Sequence, residues 1–447
     1  MEEKATGFHD CGQTLAGQVR DIFNGILYGK RPPIRLEVSA TMETLAKYIG
    51  ITRLPDSIRF LFKGMPGVFR HRHQLVFCWL VVMQMTLAGP KTLKALARTA
   101  PPHIAEWHFR RLLRAGYWSL RVLLWWFAEE AIKALPPPED KVAYVVADGS
   151  KKDKRGKKNP VAQKGRTSKS EAFFFGIKFV VLMLQWDCYR VPVDFDIVLP
   201  KRHPAYKKEN ELFQEMLTRF RPPEWAGCII VIADAGFASA KNMQLVQQLD
   251  KQDRLRVWGF VFSIARTWKM EDGKSLSNLV KHIPHANFER TWIPRLACNK
   301  GRRSFWVFRK RTRLRHIGDV TIVLSKTGRN VSPQNTKVLV TNLVELTARQ
   351  VLSIYQKRWP VEILFRELKS GMGLGQHQVS KDVDRVEKSF GIAIIAYLVL
   401  IRARKADISP GRPWSIFQLK NNFTTDLVCK QLELNVERKL NRLKKAA

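Results

Sequence analysis

Apolar and polar positions alternate with different periods along the chain, and the changes of period divide it. Up to about residue 140, apolar residues recur at helical spacing around 41–49, 74–87 and 104–135, which predicts helices with one buried face. Pro136-Pro137-Pro138, followed by Glu139-Asp140, closes this part, because a proline run interrupts regular structure. From Lys141 the pattern turns to short runs rich in β-branched residues. Residues 142–147 lead into Asp148-Gly149-Ser150, and 173–186 and 189–199 flank Asp187-Cys188 as a predicted antiparallel hairpin. A helix over 210–220, a buried strand over 228–233 ending at Asp234, a helix over 240–249 and a strand over 257–264 follow.

Three early strands followed by alternating helices and strands predict an α/β domain with the element order of a ribonuclease H-like fold, preceded by an all-helical N-terminal region. Residues 266–345 break that order with further strand-like runs at 304–308, 320–324 and 337–341. They read as a β-rich insertion whose last run returns to the main sheet. Helix resumes over 347–370 and again over 389–404, and a basic tail ends in Arg442-Leu443-Lys444-Lys445. The predicted divisions are 1–140, 141–265, 266–345, 346–405 and 406–447.

Charge changes the picture from fold to partner. The chain holds 77 Lys plus Arg against 39 Asp plus Glu, a net charge of +38. Self-repulsion of that size is relieved by a polyanion, and nucleic acid is the usual one. The longest apolar runs, 75–88 and 390–401, are shorter than the ~20 residues of a spanning helix, so no membrane is expected. Glu2 and Glu3 with no apolar segment behind them do not read as a secretory signal; cytoplasmic residence is the expectation. The six cysteines stand singly, without a Cys-x-x-Cys pair, so neither a zinc site nor a disulfide framework is expected. Residues 91–98 and 104–113, with Arg110, Arg111 and Arg114, suit a DNA-binding helix-turn-helix or an ordinary helical hairpin.

Candidate chemistry lies in three acids. Asp148 and Asp234 each follow a run that a central sheet would bury, which would bring each carboxylate out at a strand end, where ligands of open sheets bind. Each is also followed closely by glycine, so a plain turn is the alternative. Asp187, Asp194 and Asp196 are rival ligands. The third acid, Glu362, lies in Tyr355-Gln356-Lys357-Arg358-Trp359-Pro360-Val361-Glu362, with Lys369 seven residues on. On an ideal helix Tyr355, Arg358, Glu362 and Lys369 share an arc of roughly 60°, either a solvated charged face or a group suited to a metal-bound phosphodiester. Pro360 requires a kink or a new helix at that point. Glu345 and Glu367 are rivals for the third acid, Glu367 lying about 140° around the helix from Glu362.

Basic residues surround these acids. Lys151, Lys152, Lys154, Arg155, Lys157 and Lys158 follow Asp148 as a loop suited to a DNA backbone. In the insertion, Arg302 and Arg303 are interleaved with Trp292 and Trp306, which would either stack on an unpaired base or pack in the core.

The spacing Tyr355-x2-Arg358-x3-Glu362-x6-Lys369 resembles the Tyr-Arg-Glu-Lys signature of DDE transposases of bacterial insertion sequences, the insertion sequence 4 group. With Asp148, Asp234 and the strand 338–343, the resemblance covers about residues 141–405. It implies a ribonuclease H-like catalytic domain with a β-rich insertion. It implies too that Asp148, Asp234 and Glu362 are catalytic and hold two Mg²⁺ or Mn²⁺ ions, with Tyr355, Arg358 and Lys369 on DNA phosphates. The implied activity is cut-and-paste transposition: binding of terminal inverted repeats in double-stranded DNA, cleavage of the element ends and joining of the 3′-hydroxyl to target DNA by a dimer in the bacterial nucleoid. The alternatives are a catalytically idle DNA-binding protein derived from a transposase and a structure-specific nuclease.

Overall fold

The computed structural model describes residues 51–446 apart from 87–88, 155–158, 168–169, 296–300, 331, 378, 380–381 and 410–411. Strands β1 (Val142–Asp153), β5 (Cys228–Ala233) and β6 (Val257–Ser263) carry apolar runs buried without alternation, the mark of parallel strands covered on both faces. β1 pairs parallel with β5 from Val142↔Cys228 to Val146↔Ile232, and β5 pairs parallel with β6 as far as Ala233↔Phe262. The other edge of β1 pairs antiparallel with β3 (Ser170–Trp186), from Tyr144↔Gln185 to Asp153↔Gly176.

β3 spans 17 residues and so has room for two partners on its far side. β2 (Gln163–Thr167) lies beside its first half, and β4 (Tyr189–Val198) beside its second. The predicted β3–β4 hairpin turns at Asp187-Cys188, with Asp187 at φ 42°, a left-handed conformation that Asp tolerates better than most residues.

Beyond β6 the sheet continues antiparallel through β10 (Lys337–Thr341), β9 (Gly318–Lys326), β8 (Arg302–Leu314) and β7 (Glu289–Pro294). The 10 strands of the described residues therefore form one sheet. Residues 266–345 extend the main sheet rather than standing beside it, and their last strand joins β6 as expected.

Helices cover this sheet. Among the described residues, the region before the proline run is helical: α1 (Asp56–Lys63), α2 (His71–Thr86), α3 (Leu93–Thr99), α4 (Glu106–Arg114) and α5 (Leu120–Ala134). Phe109, Leu112 and Leu113 bury one face of α4 while Arg110, Arg111 and Arg114 stay exposed. After β4 come α6 (Glu209–Arg219), α7 (Ala240–Gln252) and α8 (Leu276–His282), then α9 (Ala348–Gln356) and α10 (Pro360–Arg366). α11 (Val383–Ala403) is buried without interruption from Lys388 to Ile401 and packs against α2, α5 and β4. Its Gly391 allows the approach of α5, because a Cβ there would lie 2.2 Å from Leu120 Cδ1. α11 is thus a core element shared by the N-terminal helices and the sheet.

Residues 406–447, expected as a basic tail, are mostly one helix, α12 (Ile416–Ala446), whose Ile416, Leu419, Phe423, Leu427 and Val428 are buried. No helix among the described residues is long and apolar enough to cross a membrane. Cys78, Cys228 and Cys429 are free thiols, and the Cys188 thiol donates to Ser409 O at 3.7 Å; Cys11 and Cys298 lie outside the described residues.

Candidate active site

The parallel pairing of β1 and β5 puts the carboxyl ends of both strands on one side of the sheet, and this decides where two of the three acids sit. β5 ends at Ala233, so Asp234 opens the turn that follows, its Oδ1 accepting from Gly236 N at 2.9 Å. Asp148 differs from the expectation that β1 ends there. The β5 partner runs out after Val146, but β3 is longer, and β1 stays paired to it through Asp148↔Val181 as far as Asp153. Asp148 is therefore held in a strand while its β5 side lies open. Lys151 and Lys152 share that strand rather than a loop, for the same reason.

Glu362 arrives from a broken helix. α9 is capped by Thr347 and Gln350, and residues 357–359 form a tight turn with Trp359 N donating to Gln356 O at 3.0 Å. Pro360 then opens α10 at its first position, where its missing N–H would have no helical partner anyway. From Glu367 to Gly371 the helix widens into a π segment. Despite these breaks, Arg358 and Glu362 face each other, Arg358 Nη2 donating to Glu362 Oε1 at 3.0 Å. Arg358 Nη1 donates to Asp148 Oδ2 at 2.7 Å, and Lys369 Nζ to Ser150 Oγ at 2.7 Å.

Alternation along β1 explains this pairing: Asp148 and Ser150 share one face, and the α9–α10 segment lies along it. Lys357, 4.5 Å from the Tyr144 ring, continues the contact further down the same face. The Tyr355 hydroxyl bonds elsewhere, although Tyr355 stays near enough to act on the Arg358 charge. The side chain turns toward β10, where Lys337 Nζ donates to its hydroxyl at 3.2 Å.

Electrostatics tie the three acids together. Burial raises the Asp148 carboxyl to about 6, with Arg358 opposing the rise and the negative charges of Asp234 and Glu362 adding to it. Burial also lowers the Lys369 ammonium, helped by Lys152 and Lys151 and opposed by Asp153. For Arg358 burial acts downward but is outweighed by Asp148, Tyr355 and Glu362, so the guanidinium is held more firmly charged. The donors are carboxylate oxygens alone, which fits a hard divalent ion such as Mg²⁺. Among the described residues, no three His, Cys, Asp or Glu are drawn together closely enough to form a metal-binding group, and a guanidinium bridges two of the three acids.

The rival acids have other partners. Asp194 and Asp196 on β4 are each bonded by both Arg121 of α5 and Arg219 of α6. Glu345 pairs with Arg311 at the surface, Asp187 forms the hairpin turn, and Glu367 is buried against Arg190.

The basic residues divide. Lys151 lies 4.5 Å from the Phe174 ring, Lys152 is half-buried, and Lys154 Nζ donates to Gly375 O. Arg155, Lys157 and Lys158 lie outside the described residues. Arg302 and Arg303 are exposed at the start of β8; Trp292 is exposed beside Arg290, whereas Trp306 is half-buried against the core. Ser150 and Lys357 were not singled out in the sequence. Strand alternation from Asp148 would have pointed to Ser150, while Lys357 gave no signal of its own.

The mixed sheet thus carries three electrostatically linked acids at one end, bordered by lysine and arginine. The family model described as Transposase DDE domain matches residues 142–399 of the 447. This chain belongs to that family. No curated protein matches it. Among solved structures, the cryo-EM structure of the piggyBac transposase synaptic complex with hairpin DNA is similar at 11% identity and a TM-score of 0.42, over 88% of this chain and 82% of that one.

Proposed function

We propose that the protein is a cut-and-paste DNA transposase of the insertion sequence 4 type, built on a ribonuclease H-like domain. It binds the terminal inverted repeats of its element, cleaves the ends and joins the freed 3′-hydroxyl to target DNA. The observation that carries this reading is the Arg358 bridge, which brings Asp148 and Glu362 to one guanidinium although Arg358 and Asp148 are 210 positions apart. Asp234, which opens the turn after the neighbouring parallel strand, is the third acid.

In this reading Asp148, Asp234 and Glu362 hold two Mg²⁺ or Mn²⁺ ions, which when bound activate the attacking hydroxyl and stabilise the leaving oxygen. Arg358 leaves the acids for a DNA phosphate, which it grips bidentately, and Lys369 meets a second phosphate as a point charge. Tyr355, Lys151, Lys152, Lys154, Arg155, Lys157, Lys158, Arg302 and Arg303 follow the backbone, with Trp292 and Trp306 near unpaired bases. Two ends must be cut together, so the working form is a dimer on DNA, in the bacterial nucleoid.

Purified protein, a duplex carrying the element end and Mg²⁺ test the assignment. Asp148→Ala, Asp234→Ala and Glu362→Ala should each abolish cleavage and joining. Normal strand transfer by any one of them sinks it. Wild-type protein that binds ends without cutting identifies an idle DNA-binding protein, and cutting of branched DNA without joining identifies a nuclease.

A further inference from the structure

Glu367 is a carboxylate that the proposed chemistry does not use, and it is among the most enclosed charged groups of the described chain, at 1% exposure. Its two oxygens take four hydrogen bonds. Arg190 of β4 donates Nε to Oε2 at 3.1 Å and Nη2 to Oε1 at 2.8 Å; Tyr397 of α11 donates to Oε2 at 3.0 Å, and the backbone N–H of Ile416, the first residue of α12, to Oε1 at 3.0 Å. Arg190 itself stacks 3.8 Å from the Trp414 ring centre and donates to Trp414 O at 3.2 Å. One element far upstream, β4, and two downstream, α11 and α12, thus converge on one side chain.

The position of Glu367 gives this anchor its meaning. It is the first residue of the π segment, five residues after Glu362 and two before Lys369. Around it Leu364, Phe365 and Leu368 are buried, and apolar contact is non-directional; alone it would let the segment rotate or slip. A guanidinium–carboxylate fork is directional. A π turn is rare and is found mostly at functional sites, and here Met372 N closes it on Glu367 O at 2.9 Å.

We infer that Glu367 is a positioning residue: its buried fork with Arg190, completed by Tyr397 and Ile416, sets the register of the α10–π segment that presents Glu362 and Lys369 to β1. This rests on the transposase reading for its activity test, though not for its structural one. C-terminal helix α12 becomes part of the site's support through Ile416.

The test uses the full chain with Glu367→Gln, which keeps the shape and loses the charge, at a temperature where the variant is folded. Single-turnover end cleavage should fall by about tenfold or more, since small displacements of reacting groups have effects of that order, with DNA affinity changed less than about twofold and Glu367→Asp recovering part of the rate. In the metal-free, DNA-free protein, amides of residues 368–374 should exchange faster while those of α11 do not. A folded Glu367→Gln variant that cleaves at the wild-type rate with unchanged exchange overturns the inference. If Glu367→Gln does not fold, Tyr397→Phe decides: it removes one bond and keeps the ring, and cleavage should slow roughly threefold, a wild-type rate overturning the idea. Wild-type protein that cuts no DNA fails the transposase reading instead, and the exchange pattern then decides the positioning role by itself.

Discussion

Arg358 Nη1 stands 2.7 Å from Asp148 Oδ2, while its other Nη is 3.0 Å from Glu362 Oε1. Any cation that uses these two carboxylates must compete with a guanidinium already on them. Arg358 also holds the Asp148 pKa down, so its removal has two opposed effects on metal binding at neutral pH. Well above pH 6 only the competition remains. At pH 8.5 Arg358→Ala should therefore bind Mg²⁺ more tightly without DNA, by about fivefold for a competing interaction on the order of 1 kcal/mol, yet cleave DNA more slowly. Calorimetric titration with Mg²⁺ measures the first effect; unchanged or weaker affinity at that pH would contradict the competition.

Asp148 should be a site where function opposes stability. Its folded pKa of about 6 lies above the model-peptide value of 3.8, so the folded chain binds this proton more tightly than the unfolded chain does. Stability linked to the group is fully present below about pH 4 and is lost as pH rises through 6. A shift of about two units corresponds to at most about 3 kcal/mol. In chelator, Asp148→Asn should raise the melting temperature at pH 7.5 by a few degrees, and the difference should shrink at pH 4.5. A lower melting temperature at pH 7.5 would show that the Arg358 contact outweighs the burial of the charge.

Two glycines of the β1–β3 ladder should respond differently to Ala. A Cβ on Gly176 would lie 2.3 Å from the backbone O of Lys152 and 2.9 Å from Asp153 Cα, and no rotamer relieves a clash with backbone. On Gly149 it would meet Glu209 Oε2 at 2.9 Å, the end of a 41% exposed side chain that can turn away at the cost of a surface ion pair with Lys178. Gly176→Ala should cost about 1–3 kcal/mol or more, and Gly149→Ala less than about 1 kcal/mol. Urea unfolding compares them, and equal losses would mean that β1 does not hold this register in solution.

How far the sequence disclosed the site depends on which contacts are local. The Arg358–Glu362 pair keeps the spacing of four that a helix suggests, although Arg358 lies in the turn before α10, and the β3–β4 hairpin follows from two apolar runs around Asp187-Cys188. Asp234 follows β5 as its apolar run suggests. The continuation of β1 past Asp148 was hidden, because Lys151-Lys152-Asp153 has a loop's composition and only the length of β3 supplies its partner. Polar β2 was hidden likewise, its partner again being β3; β7, an edge strand with exposed positions, was hidden because only β8 pairs it. Tyr355 left the expected stripe because the turn at 357–359 replaces regular helix. The π segment was illegible for a different reason: it depends on Arg190, Tyr397 and Ile416, none of them near it in sequence.

Trp292 and Trp306 test the division between stacking and packing. The β7–β8 register sets Arg290 opposite Trp306 and Trp292 opposite Ser304, so Arg290, Trp292 and Trp306 share one face of the ribbon. Trp292 is 44% exposed, with the Arg290 guanidinium 4.6 Å from its ring centre, whereas Trp306 packs against the core. An exposed indole beside a guanidinium can stack on an unpaired base, an interaction of about 1–3 kcal/mol. Trp292→Ala should leave stability within about 0.5 kcal/mol and weaken binding only to DNA ends that carry an unpaired base. Trp306→Ala should instead lower stability by about 2 kcal/mol, below the roughly 3–5 kcal/mol of a fully buried ring because Trp306 is half-buried. Fluorescence anisotropy on blunt and single-base-tailed ends separates the two, and an equal loss on both substrates for Trp292→Ala would remove it as the stacking residue.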